Sequence, residues 1–146
     1  MIQVKLFLCA DSAAIDVRTN AISAFHITEQ LNAASFPVAI PHVALIAVLI
    51  REETDPSNIQ LQLQIHSGNQ QLFAGPVSIN FVQQLATRTV VDMHGLVVPA
   101  PGTLRFLLMN GDEKLSSWTI LVSQVGQPAG VQMYLPMTQP PAGQAN

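Results

Sequence analysis

Four histidines, a single cysteine and a handful of aspartates are the residues in this chain that could do chemistry. His26, His42, His66 and His94 invite a metal or acid–base role, because neutral imidazole is a common metal ligand and titrates near physiological pH. None lies at a spacing typical of zinc sites, and no second cysteine completes one. One pair has a geometric case. If Asn32–Pro37 closes a hairpin centred near Ala34, His26 and His42 fall opposite each other on antiparallel strands. Glu29 then lies nearby, facing the other side of a regular strand, and a weak metal site results. In an immunoglobulin-like topology these strands belong to different sheets and the pairing vanishes. Ordinary strand histidines are therefore the favoured reading, with no metal and no cofactor expected.

Cys9 as a nucleophile would need a lowered pKa and a histidine partner. It ends an apolar strand, which favours a buried, inert thiol. Asp11 and Asp16 could pair as acids or calcium ligands, but capping the turn between them is their simpler use. The sequence holds no G-x-S-x-G elbow, no H-E-x-x-H and no phosphate-binding glycine loop. His94-Gly95 reads as a loop dipeptide. No constellation of activated groups is visible, so the chain is read as a non-enzyme with no catalytic residues.

Composition narrows the partners. The net charge is -3 and the six basic residues are scattered, which argues against nucleic acid and anionic membranes. Aromatic residues make up 5%, too few for a stacking platform for sugars or bases. Only 10% of residues are charged, against roughly 25% in average soluble domains. Glutamine, asparagine, serine and threonine stand in for charge, and such a surface resists self-association weakly. Met1–Ala10 faintly resembles a lipoprotein signal, but its apolar run is too short and its alternation fits a strand. The longest apolar run, Val43–Ile50, is far short of the ~20 residues that span a bilayer. A cytoplasmic location is the default expectation.

The elements follow from period-two patterns. Ile2–Ala10 alternates, Asp11–Asn20 is polar and turn-like, and Asn20–Gln30 gives a second strand. Ala33–Pro37 is a loop. Pro37 and Pro41 bracket Val38-Ala39-Ile40, so pairing there must be at an edge or irregular. Val43–Ile50 is apolar on both faces, so something must cover its outer side. Ile59–His66 alternates strictly, with glutamines on the wet face. Leu72–Phe81, broken at Gly75-Pro76, and Thr87–Met93 follow. Thr103–Met109 and Leu115–Val122 form a hairpin in which Asn110-Gly111 supplies a type I′ turn. Leu104, Phe106 and Leu108 form one core layer with Trp118 and Ile120, while Leu107 and Met109 suggest a second dry face. The sum is an all-β, immunoglobulin-like antiparallel sandwich of seven or eight strands over residues 1–125. Residues 126–146, rich in proline and glycine, read as a mostly disordered tail.

Three stretches carry a resemblance. They are Leu8-Cys9-Ala10-Asp11; Ile22–Ile27 followed by Ser35-Phe36-Pro37 and Ile40-Pro41; and Pro101-Gly102 with Phe106 and Asn110-Gly111. With these the chain resembles an uncharacterised family of small bacterial immunoglobulin-like β-sandwich proteins, over about Met1–Val125. The turn before the second strand has Thr19-Asn20 where that family has glycine, and asparagine tolerates the left-handed conformation needed there. The resemblance implies a fold and no activity.

The function expected is a protein-interaction or self-assembly module that binds a protein partner or a second copy. Its candidate interface is the outer face of the two-sided strand, taken as Ala44, Ile46, Val48 and Ile50, together with Met133, Tyr134 and Leu135 of the tail segment Val131–Leu135. The alternative is a sandwich that binds a small molecule or carbohydrate through loops at one end.

Overall fold

The structure of the protein, a computed structural model, describes residues 1–125. The expected tail, with Met133, Tyr134 and Leu135, lies outside the described residues. Nine strands run in chain order: β1 (Gln3–Ile15), β2 (Ile22–Ile27), β3 (Gln30–Ala33), β4 (Val38–Ile50), β5 (Asn58–Ser67), β6 (Gln70–Asn80), β7 (Ala86–Val98), β8 (Gly102–Asn110) and β9 (Glu113–Gln124). They form two packed sheets, ordered β2-β1-β4-β7 and β3-β9-β8-β5-β6. From β4 to β9 the strands occupy the places of immunoglobulin strands B, C, C′, E, F and G. One pair departs from the antiparallel rule, since β3 runs parallel to β9. Among the described residues there is no helix, and so none long and apolar enough to cross a membrane.

The core lies where the alternation puts it. Leu61, Leu63 and Ile65 of β5 are buried against Leu104, Phe106, Leu108 and Ile120. The glutamines of β5 face out and bond to one another, with Gln64 donating to Gln62 at 2.8 Å. Leu107 and Met109, on the outer side, are half-buried. Cys9 is fully buried, and burial pushes its thiol well above the ordinary range, so it is inert as a nucleophile.

Two local expectations change and one holds. The β8–β9 turn holds Gly111-Asp112 between the paired Asn110 and Glu113, one residue later than the Asn-Gly reading. Only Gly111 has positive φ, at 61°, which is the type II′ pattern with glycine first. Pro41 does not interrupt β4. Pairing of β4 with β1 ends at Ala44, so only β7 is alongside at Pro41, and the β4–β7 register steps from Ile40↔Leu96 to His42↔His94 with Pro41 itself unpaired, the edge-like, irregular pairing expected there. Pro76 sits within β6, which is an edge strand.

The largest change is in Asp11–Asn20, expected as a turn. β1 continues through it to Ile15. Beyond Ala10 it leaves β4 and pairs with β2 alone, from Ser12↔Phe25 to Ile15↔Ile22. The freed hairpin curls across the outer face of its own sheet. Ala13, Ile22 and Ala24 pack on Leu8, Ala10 and Ile46, with Val90 of β7 on the far side. At the tip, Arg88 of β7 donates to Asn20 Oδ1 at 2.6 Å. Asn20 takes φ 60°, as its residue type allows.

Asp16 shapes that tip. Its Oδ1 accepts the N–H of Arg18 at 2.7 Å and of Thr19 at 3.1 Å, and these bonds hold its carboxyl below the usual carboxylate range. A lowered folded value means the stabilisation is complete above the unfolded carboxylate value, about 4, and is lost as pH falls through the folded value. The tip should therefore loosen only below about pH 4. A carboxyl-carbon NMR titration of Asp16 should give a midpoint below that value, and Asp16→Asn should remove the acid dependence of the Arg18 and Thr19 amide signals.

Candidate functional site

Asp11 is the residue that links the two histidines singled out by the sequence. β2 and β4 share a sheet but are separated by β1, so His26 and His42 are not cross-strand neighbours. Instead each bonds to Asp11, which lies between them. His26, on β2 at φ 56°, points Nδ1 at Asp11 Oδ2 at 3.1 Å and is otherwise exposed. Thr28 donates to the His26 carbonyl at 3.1 Å. These residues line a polar cleft of about 460 Å³ with Glu29 and Gln30.

His42 is engaged at both nitrogens. Nδ1 bonds to the Asp11 carbonyl, and Nε2 lies 2.9 Å from Asp92 Oδ1. Both ring nitrogens are thus occupied by contacts within the sheet, one to β1 and one to β7. The His94 ring lies 4.7 Å from it, centroid to centroid. Among the described residues no group of three His, Cys, Asp or Glu side chains converges as a metal site. His66 stands apart, against Gln64 on the outer face of β5. The array thus ties β1, β2, β4 and β7 together at one end of the sheet.

The expected interface residues are placed differently. Ile46 is 2% exposed because the β1–β2 hairpin lies over it, and Ala44, two residues before it, is 0% exposed. Val48 and Ile50 are half-buried. The chain itself therefore covers the centre of this face. What remains open is a groove of about 740 Å³ beside the hairpin, floored by Val48 and Val90 and flanked by Ile15, Ile22, Val82 and Thr89. It runs along the first residues of β7, whose outer edge is unpaired among the described residues.

The lip of this groove is strained. The Gln84 N–H bonds to the Phe81 carbonyl at 2.8 Å, closing a turn whose central residues, Val82 and Gln83, have φ 49° and 63°. This is a type I′ pattern, normally made by Asn and Gly. A β-branched residue in that conformation is a true outlier, costing of order 1–3 kcal/mol. Val82 is nonetheless 69% exposed.

Residues 5–123 match the profile of a family of unknown function, DUF6941. The chain belongs to this family. No curated protein matches the sequence. Among solved structures, the DUF6941 domain is similar to an immunoglobulin-like protein from Pseudomonas aeruginosa (14% identity, TM-score 0.40, 84% of this chain and 96% of that one). It is similar also to an alkylpurine DNA glycosylase from Pseudomonas fluorescens bound to DNA (11%, TM-score 0.41). A third is a β-glucosidase from Listeria innocua in complex with isofagomine (7%, TM-score 0.44). The chain spans 30% of the glycosylase and 17% of the glucosidase, with 84% of its own length covered in each.

Two features of the DUF6941 site had no signal in the sequence. Val82-Gln83 contains neither Gly nor Asn, so nothing marked a left-handed turn there. The hairpin over Ile46 presents Ala13 and Ala24, whose small side chains give almost no amphipathic pattern. The Asp11 link was concealed differently, since it depends on β1 entering the sheet between β2 and β4.

Proposed function

We propose that this domain is a protein-interaction module that binds an extended apolar segment of a partner in the groove between the β1–β2 hairpin and the start of β7. The carrying observation is Val82, a β-branched side chain held in a left-handed turn and presented to solvent at the groove's lip. Strain of that kind persists where the surrounding structure imposes it, and it concentrates at binding and switch sites. The unpaired β7 edge offers main-chain groups for strand addition, with the groove receiving alternate side chains. A bacterial source and a cytoplasmic setting belong to the same reading. The resemblance of the first strand and the Pro101–Gly111 hairpin supports the former, and a lone, buried free cysteine is compatible with the latter.

The test uses pull-down from native lysate with light scattering alongside. A protein retained by the wild type and by Leu121→Asp, an exposed change on the opposite sheet, but lost with Ile15→Asp and Val82→Asp, supports the reading. Capture indifferent to Ile15 and Val82, or no capture and no self-association, overturns it. Val82→Gly separates binding from folding: relief of the left-handed strain should raise stability by about 1 kcal/mol while capture falls.

A further inference from the structure

We infer that the strand added to β7 is β7 of a second copy of this chain, paired antiparallel about a two-fold axis at Val90. The inference rests on the groove reading above and names its partner. Four strands end the two sheets, and β7 differs from the other three. β2 has 6 residues and β3 only 4, while Pro76 removes an N–H from β6. β7 runs for 13 residues with neither proline nor lysine. Its stretch Ala86–His94 precedes Gly95, the one residue of β7 with positive φ. A long, uninterrupted edge of this kind is a template for pairing with another chain.

The charges on β7 select the occupant. The β4–β7 register sets Arg88 against Val48, Val90 against Ile46 and Asp92 against Ala44, so all three lie on the outer face. Arg88 and Asp92 are equally far from Val90 and opposite in charge. Within one strand they are ~13 Å apart, too far to pair with each other. With Val90 on the axis, Arg88 lies directly across from Asp92 of the partner subunit. The contact occurs twice, because an isologous interface repeats every pair. Charges of one sign at these places would repel a second copy; opposite signs at equal distances attract it. Arg88 uses one guanidinium N–H on Asn20 Oδ1, and Asp92 turns one oxygen to His42, so each keeps donors or an acceptor for the crossing contact. On the inner face the same register sets Thr89 across from Val91 of the partner subunit, a favourable β-branched pair. The apolar ends match as well. Leu85, 48% exposed, and Gly95 are equally far from Val90. Continuing the register brings Leu85 of each copy beside the other's apolar slot, about 380 Å³ and lined by Leu72, Phe73, Met93 and Val97. Phe73 and Val97 there are 46% and 52% exposed.

The experiment is sedimentation velocity on the full chain across the micromolar range, where the wild type should form a dimer. Arg88→Asp and Asp92→Arg each set like charges across the axis and should weaken self-association about tenfold or more. An equal mixture of the two variants should restore it, because every crossing contact between them again joins opposite charges. Dimerisation indifferent to both reversals overturns the inference, as do variants that fold by circular dichroism yet do not associate when mixed. Hydrogen exchange of the wild type needs no variant. On concentrating the protein, alternate amides of Thr87–Met93 should slow about tenfold or more, with β6 amides unchanged. Unchanged exchange in β7, or slowing in β6 instead, also overturns it. A wild type that stays monomeric overturns the self-pairing: if it still captures a protein through Ile15 and Val82 the groove reading stands, and if it captures nothing both fall.

Discussion

Ile46→Asp should unfold this domain, not make its surface more soluble. Ile46 lies on the outer face of β4, where an unpartnered sheet would leave it wet, yet it is 2% exposed under the β1–β2 hairpin. A carboxylate placed there loses its water and gains no cation. Arg88, two residues from the Val90 that pairs with Ile46, is already bonded to Asn20. The effective cost of burying an unpaired ion is several kcal/mol, against a total stability of about 5–15 kcal/mol for a domain. Ile46→Ala, which only empties space, should cost about 2–5 kcal/mol. Were this face an open interface, Asp would change monomer stability by about 0.5 kcal/mol or less and would disrupt only an oligomer. Circular dichroism under denaturant separates the two outcomes. A folded, monomeric Ile46→Asp protein of near wild-type stability would refute the covered face.

The same residue marks how far the sequence could be read. The alternation Val43/Leu45/Ala47/Leu49 against Ala44/Ile46/Val48/Ile50 shows that both faces of β4 are dry. It contains nothing about what dries the second. That answer sits in Asp11–Asn20, where aspartates and alanines read as a turn because burial of a small side chain leaves no hydrophobic stripe. Patterns set within one strand were legible: the glutamine face of β5, the core layer of β8, the left-handed tolerance of Asn20. Features requiring a third element were not. Pro41 is accommodated because β1 has departed by Ala44, and His26 meets His42 only through Asp11 on the strand between them. The Gly111-Asp112 turn differs from the expected Asn110-Gly111 by one residue, because glycine can occupy either central place of a primed turn.

Trp118 carries the largest expected loss outside the buried core. The chain passes from one sheet to the other at Thr28 and Glu29, and backbone bonds hold both residues. Thr28 donates to Cys9 in the first sheet, and Leu121 of the second donates to Glu29, each at 2.9 Å. Trp118, on β9, packs against both apolar clusters and donates its Nε1–H to the Thr28 carbonyl at 2.8 Å. It therefore adds a side-chain bond between the sheets at this crossing, and it is the one hydrophobic side chain of β9 packed against the cluster beneath the hairpin. Trp118→Ala should cost about 3–5 kcal/mol. Trp118→Phe keeps most of the packing and deletes the donor, so it should cost about 1–2 kcal/mol. Since Trp118 is the single tryptophan, unfolding must be followed by circular dichroism. The phenylalanine variant also isolates the hydrogen bond's role. If the bond pins the crossing, the Thr28 and Leu121 amides should exchange faster in Trp118→Phe while those of β5 do not. Equal acceleration throughout would mean that Trp118 contributes only bulk packing, and that the crossing is held by its backbone bonds alone.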